Sequence, residues 1–485
     1  MTSSGGLKST SLTVETLALL SLKCKPRVFD LSSAQAHVSI RDQIVRGRLL
    51  ARDLRAADRI CKEVLVVGAG VAGVSFAVAA ASLGVKVVVV DANHQPFALQ
   101  HAKSSRWVGP FMYEWPAGFF DDQSYPPVHP TLKAVMADPL VPTWSATAPI
   151  KSSDLAVSLG AWLKRLHSIW PATTSFPILL TAVNAARVAT FVKRFASSMT
   201  AGASVVGTNW LSGVKRRVTA NPDYVVLAAG MGAENTLLPG PAGISGRRFW
   251  QNDNLKSPSS QNWKIGVFGG GDGALQDVLR AVTNFDHPVQ FLNHLYSSTT
   301  TAAAMDGEQQ ALAAIEQQNR LYATWTTGQA AADEVDERCR EIAQRLATRL
   351  AVRNKVRDGV RVGRGQVQLV WGSEHFTKSY LLNRFLVHLI DACQSAAPKL
   401  FSGRMQLRLR PSTLVLAAKH GSMHNFVVDV SGPLGNSSED FDEVAVRFGL
   451  KKGSVPGLQM IGLSLAKAER TLLAQIPVPF VLPRL

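Results

Sequence analysis

The same glycine-spaced turn occurs once in each half of the chain, at Gly68-Ala69-Gly70-Val71-Ala72-Gly73 and at Gly269-Gly270-Gly271-Asp272-Gly273-Ala274. Between a buried strand and a helix, such a turn brings backbone N–H groups and the positive end of a helix dipole against a pyrophosphate. One copy points to a nucleotide site. Two copies point to a protein that holds two dinucleotides and moves electrons between them.

The first copy has a full frame. Glu63-Val64-Leu65-Val66-Val67 is a short β-branched run that reads as a buried parallel strand leading into the glycines. Gly68 permits the tight turn, Gly70 lets the backbone approach a pyrophosphate, and Gly73 lets the helix pack closely on the sheet. Val71 and Ala72 stand with the glycines as cofactor-binding candidates, and the helix runs through the small residues from Ser75 to Leu83 and stops at Gly84. Val85 to Val90 makes the second strand. Asp91, followed by Ala92, closes it about 20 residues past the glycines, where a carboxylate can take ribose hydroxyls.

The second copy is framed by a strand at Trp263–Phe268 and a helix at Ala274–Val282, Ala274 standing in for the third glycine. The next strand is expected at Val289–Leu292. It ends in Asn293-His294 and carries neither an acid for an NAD ribose nor an obvious arginine for an NADP phosphate.

Between the copies, Asp223 to Gly230 reads as a buried strand ending in Ala228-Ala229-Gly230, followed by Met231-Gly232-Ala233-Glu234-Asn235 and a turn at Pro239-Gly240-Pro241. At this point the chain resembles the two-dinucleotide-binding flavoproteins, the group of glutathione-reductase-like enzymes and flavin-dependent monooxygenases. The resemblance implies that the first glycine motif binds the ADP half of FAD, that the strand ending at Ala229-Gly230 returns to the flavin, and that Gly269, Gly271, Asp272, Gly273 and Ala274 open an inserted NAD(P)H domain. Val455 to Gly462 is similar to the group's last strand, which returns to FAD and normally ends in Gly-Asp. Here Gly462 is followed by Leu463 and Ser464, leaving backbone N–H groups and Ser464 to replace the acid. The loop from Gln100 to Pro116 is similar to that of amino-acid-oxidase-like flavoproteins. This implies that Ser105 and Arg106 approach FAD, Arg106 at the diphosphate, and that Trp107 walls the flavin pocket.

Cysteine spacing narrows the chemistry. Cys24, Cys61, Cys339 and Cys393 form no CxxC or CxxxxC pair, which argues against a disulfide reductase. Sparse cysteines suit a reducing compartment, and no apolar run nears the length that spans a bilayer, so a cytoplasmic location is expected. Leu17–Leu22 is too short, and lacks the basic region before it, for a secretory signal.

The formal net charge of +17 raises nucleic acid or a membrane surface as partners. The basic residues are scattered in small groups such as Lys215-Arg216-Arg217, with no aromatic-interleaved RNA motif. No nucleic-acid partner and no membrane span are therefore expected. A positive field serves dinucleotides and an acidic substrate equally well.

With 485 residues and 46% hydrophobic content, the chain has room for more than one core. The expected fold is α/β, with two Rossmann-like dinucleotide-binding domains, the second inserted in the first, and a helical insertion. The boundaries expected are a helical extension over 1–60 with an arginine-dense amphipathic helix from Ile40 to Ile60, an FAD domain over 61–262 and 413–485, and an NAD(P) domain over 263–412 with its insertion at 302–352.

Candidate proton carriers are thin. His375, His420 and His424 lie in irregular segments, where histidine is more often solvated than catalytic. His420 and His424 gain no further ligand at metal spacing, so no metal is expected. The expected function is an FAD-dependent oxidoreductase reduced by NAD(P)H and monooxygenase-like, acting on a small organic molecule, with homo-oligomerisation left open. A flavin-dependent amine or amino-acid oxidase, and a redox-inactive nucleotide- or partner-binding protein, are the alternatives.

Overall fold

Strands rich in valine on both faces must be covered on both faces, and that requirement organises the first half of the molecule. The computed structural model describes residues 19, 22–32, 39–101, 103–109, 112, 115–116, 124–125, 139–142, 144–145, 148–198, 202–321, 329–376, 379–422, 425–451 and 454–463. The N-terminal elements are β1 (Lys23–Lys25), β2 (Val28–Asp30) and α1 (Ile40–Ala57). The first glycine unit follows as β3 (Glu63–Val67), α2 (Val71–Ser82) and β4 (Lys86–Val90). Two short ribbons pair β5 (Trp107–Val108) with β8 (Ile150–Lys151) and β6 (Ser124–Tyr125) with β7 (Trp144–Ser145). Then come α3 (Ser152–Ser168), β9 (Ile178–Thr181), α4 (Ala185–Ser198), β10 (Ala203–Asn209), β11 (Lys215–Ala220) and β12 (Tyr224–Leu227).

These strands form an eight-stranded sheet in the order β1-β2-β12-β3-β4-β9-β10-β11, with β2, β12, β3, β4 and β9 parallel. Val64, Val66, Val87 and Val89 face one core with α1, α2 and α3, whereas Leu65, Val67, Val88 and Val90 face another with α4. Helix α1 starts in a capping box, in which Ser39 Oγ accepts the Asp42 N–H and Asp42 accepts the Ser39 N–H. It then lies directly on α2. A Cβ on Gly47 would stand 2.8 Å from both Ala72 O and Phe76 N, so only glycine allows that approach.

The second half holds β13 (Lys264–Phe268), α5 (Asp272–Val282), α6 (Pro288–Tyr296), α7 (Thr299–Leu321), α8 (Gln329–Ala347), α9 (Leu350–Gly359), β14 (Gln366–Val370), α10 (Leu381–Ala396) and β15 (Gln406–Arg410). A three-stranded antiparallel sheet of β16 (Leu414–Lys419), β17 (Phe426–Gly432) and β18 (Gly435–Phe441) follows, and then β19 (Glu443–Val446) and α11 (Pro456–Met460). Strands β15, β14, β13 and β19 form a four-stranded parallel sheet in that order. The chain enters this second unit after the first sheet is built. It returns through Val455, Leu458 and Ile461, which pack beneath the first sheet. The second Rossmann-like unit is thus inserted in the first.

Two expected strands are helices. Val289–Leu292 lies inside α6, because His287 caps the helix, Pro288 occupies its first turn, and Phe291, Leu292 and Leu295 bury one helical face. The second strand of this unit is therefore β14, reached after the whole α5–α9 crossover. The expected return strand at 455–462 contains α11, also begun by a proline, and Val455, Leu458 and Ile461 recur at helical spacing. No helix among the described residues is long and apolar enough to cross a membrane.

Within the crossover, Asp336 of α8 ties that helix to α10. Its carboxylate accepts from Arg384 Nη1 at 2.9 Å and from the Phe376 N–H at 3.1 Å, and lies 3.0 Å from His388 Nε2. His375 Nδ1 stands 3.6 Å away. His375 thus belongs to a structural cluster, His420 is exposed, and His424 lies outside the described residues. Burial raises the Asp336 carboxyl, but His388, Arg384 and the Phe376 N–H outweigh it and hold it down at about 2. Asp336→Ala should cost about 3–5 kcal/mol by leaving Arg384 buried without its carboxylate. Because the folded value lies below an unfolded value of about 3.9, the stabilisation is present above that pH and fades as pH falls toward 2. Urea unfolding of wild type and variant should diverge at pH 7 and converge at the acid end.

Candidate functional site

The first glycine turn is built by close backbone approach. A Cβ on Gly68 would stand 2.1 Å from Ala228 O, and one on Gly73 would stand 2.0 Å from Gly68 O. Gly68 also takes a φ of 113°, which only glycine adopts easily. At Gly70, the N-cap of α2, a Cβ would meet nothing within 4 Å. Open space thus lies over the positive end of a helix whose first turn carries no acid. Val71 is buried and Ala72 half-buried behind that end. These features fit the diphosphate of a bound dinucleotide.

Asp91 ends β4 half-buried and holds the turn. Its carboxylate accepts the Ala69 N–H at 2.6 Å and the Asn93 N–H at 2.7 Å, while Ala92 is exposed. Ala229 and Gly230 follow β12 beside the glycine turn, Gly230 at a φ of 92°. Gly462, with a φ of 69°, lies just after α11, and Ser464 is outside the described residues.

The strand beside β12 comes from the N-terminal part of the chain, and it ends in an acid. Strand β2 pairs with β12 in register, Asp30 opposite Leu227, and the Leu31 N–H donates to Leu227 O at 2.8 Å. Asp30 is fully buried and its Oδ1 accepts the Ser32 N–H at 2.6 Å. Nothing local in Arg27-Val28-Phe29-Asp30 marks it, because its position depends on which strand adjoins β12.

The loop after β4 crosses to the second unit. Ser105 Oγ accepts the Asp253 N–H at 3.2 Å, and the Ser105 N–H donates to Asn252 Oδ1 at 3.2 Å. Arg106, expected on a diphosphate, is buried in an ionic junction instead: it pairs with Asp277 of α5 and with Asp253 at 2.9 Å, its guanidinium 4.4 Å from the Phe249 ring. Arg280 and Arg447 also pair with Asp277, Arg447 at 2.7 Å. Burial opposes ionisation of Asp277, but Arg106, Arg447 and Arg280 prevail and hold its carboxyl well below the ordinary range.

The second glycine turn is more enclosed. A Cβ on Gly269, at a φ of 131°, would stand 2.2 Å from Arg447 O. Trp371 packs on Gly270, Gly271 caps α5, and Phe249 borders Gly273 at 3.3 Å from its added Cβ. Asp272 turns its carboxylate aside: it accepts from Asn383 Nδ2, from the Tyr380 N–H at 3.2 Å and from Gln276 Nε2 at 2.7 Å. Burial pushes it up to about 6 against those donors. Ala274 is fully buried in the core. Strand β14 is followed by Trp371-Gly372-Ser373, so no acid stands directly at the end of the true second strand.

A cavity of about 780 Å³ opens on this turn and reaches the first unit. Its wall includes Gly271 and Trp371 from the second unit and Ser39, Trp107 and Met231 from the first. Trp107 is half-buried there, with Lys151 Nζ 5.7 Å from its ring. Met231, Glu234 and Phe249 were missed in the sequence because irregular segments carry no periodicity to place them.

Residues 63–224 match the model of a family described as FAD dependent oxidoreductase. No curated protein matches the chain. Among solved structures, bacillithiol disulfide reductase Bdr from Staphylococcus aureus is 9% identical, with 80% of this chain and 76% of that one covered and a TM-score of 0.38. The cadaverine monooxygenase DfoA from Erwinia amylovora is 11% identical, with coverage of 82% and 80% and a TM-score of 0.39. Ornithine hydroxylase PvdA from Pseudomonas aeruginosa is 12% identical, with coverage of 81% and 83% and a TM-score of 0.36.

Two substitutions separate cradle from scaffold. Gly70→Val points into open space, so the melting temperature should stay within a few degrees while FAD affinity falls about tenfold or more; flavin absorbance after gel filtration reads the loss. Arg106→Met should instead lower stability by about 1–3 kcal/mol, the loss of charged hydrogen bonds at a carboxylate that still keeps Arg280 and Arg447. Chemical denaturation measures it. Residues 63–224 thus carry a domain that matches the FAD dependent oxidoreductase family.

Proposed function

We propose that this protein is an FAD-dependent oxidoreductase whose flavin is reduced by NAD(P)H, and that it is monooxygenase-like and acts on a small organic molecule. The flavin unit in this reading is the eight-stranded sheet with its helices; the nicotinamide unit is the four-stranded sheet with the α5–α9 crossover. The observation that carries the proposal is the cavity that joins the second glycine turn to Trp107 and Met231 of the first unit. A dinucleotide seated on the α5 N-terminus would have its other end directed along a continuous space toward the first unit.

When bound, FAD supplies the two-electron chemistry that no side chain here can. The chain's residues bind and orient. Gly68, Gly70 and Gly73 shape the diphosphate cradle, with Val71, Ala72 and the α2 N-terminus behind it, and Asp91 fixes the turn. Ala229-Gly230 follow β12, and Asp30 ends the strand beside it. Gly269, Gly271, Gly273 and Ala274 shape the second cradle, while Asp272 keeps its carboxylate tied to Tyr380 and Asn383. Trp107, Met112, Met231 and Trp250 give the cavity an apolar wall that limits water around the reacting groups.

A dithiol route finds no support. Cys24, Cys61, Cys339 and Cys393 are all free, and burial raises every thiol, Cys61 and Cys393 to about 12. Anaerobic titration of the flavin-loaded protein with NADPH and with NADH is the test. Rapid bleaching of the visible flavin band is expected with one of them. Bleaching by an amine or amino acid alone would replace this reading with an oxidase, and a protein that never takes up flavin would overturn it.

A further inference from the structure

The cavity wall divides into two kinds of surface. Among the described residues, the part of the chain before β13 gives it Ile40, Trp107, Val108, Met112, Met231 and Trp250, whose side chains are aliphatic, thioether or indole. Met112 is buried and the other five are half-buried. Trp250 stands edge-on to Phe249, their ring centroids 5.4 Å apart. The same part of the chain adds two polar side chains, Ser39 and Glu234. Both are engaged within the protein: Ser39 Oγ accepts the Asp42 N–H at 3.1 Å, and Glu234 Oε2 accepts the Phe249 N–H at 2.6 Å.

The charged side chains that the second unit brings to the wall are engaged as well. Asp272 accepts from Tyr380, Asn383 and Gln276, and Arg447 Nη2 pairs with Asp277 at 2.7 Å. A cation entering the cavity would lose water without gaining a carboxylate that the protein has not already bonded, and would meet the Lys151 ammonium 5.7 Å from the Trp107 ring. An anion would meet a guanidinium already neutralised by Asp277. An apolar molecule incurs neither cost and gains by leaving water. A cavity of about 780 Å³ is of the size that takes a small organic ligand.

We propose that the small organic molecule on which this protein acts is apolar and uncharged, and that it lies in the cavity against Trp107, Met231 and Trp250. This rests on the reading of the cavity as the space between a flavin unit and a nicotinamide unit. The anionic part of a dinucleotide belongs at the glycine turn of the second unit, and the apolar end of the same space is left to the substrate.

The test is calorimetric binding to the oxidised, flavin-loaded protein with three probes of one chain length: 1-octanol, 1,8-diaminooctane and octanedioate. The last two carry a charge at each end, so neither can enter without burying one. 1-Octanol should bind about tenfold or more tightly than either. Trp250→Ala should weaken 1-octanol about fivefold, and Trp250→Phe should stay within about twofold of wild type, with flavin absorbance retained in both as the check on folding. Equal or tighter binding of the diamine or the dianion, or 1-octanol affinity indifferent to Trp250→Ala, would overturn the substrate class while bleaching of the flavin by NADPH or NADH still stood. A preference for 1-octanol in a protein whose flavin neither nicotinamide bleaches would overturn the two-cofactor reading, and the substrate role with it.

Discussion

The carboxylate of Asp277 has no exposed surface, and three arginines from separate stretches of the chain converge on it. Arg106 comes from the loop after the first glycine unit, Arg280 from one turn further along α5, and Arg447 from the end of β19; Asp253 pairs with Arg106 and Arg280 in turn. Charges taken out of water this far are stabilised only if each keeps its partners, so the junction tolerates one arrangement of these segments. That arrangement sets the cavity. Phe249 lies under the Arg106 guanidinium, Arg447 lines the wall, and Arg447 O presses on Gly269.

The two glycine turns are therefore alike in sequence and different in surroundings. At the first, Gly70 faces open space and Asp91 braces the turn from the side. At the second, Trp371, Phe249 and Arg447 close in on the glycines, and the acid in the motif itself is drawn toward α10. Burial of Asp272 makes its charge costly, and the donors from Tyr380, Asn383 and Gln276 answer that cost locally.

Much of this was legible in the residues. β-branched runs, glycine spacing and the small-residue helix at 71–82 are local signals, and β3, α2, β4, β12, β13 and α5 follow from them. The arginine-dense helix was legible from its apolar spacing as well. Short apolar runs were not. Val289–Leu292 and Val455–Gly462 hold as many apolar residues as a strand, and only a proline in the first helical turn, with burial at helical intervals, decides for helix. Arg106 was unreadable for another reason: its partner, Asp277, is 171 positions away, and no local pattern couples the two.

The sequence by itself determined that two strand–glycine turn–helix units exist, because strand, turn and helix propensities act over a few residues and glycine is required wherever backbones meet. Tertiary structure alone decided which acids and cations stand near them. Asp30 ends beside Leu227 only because β2 adjoins β12, and Arg106 serves the junction only because its loop crosses to α5. Side-chain roles at such distances depend on charge pairing and burial between segments, and those are properties of the packed chain.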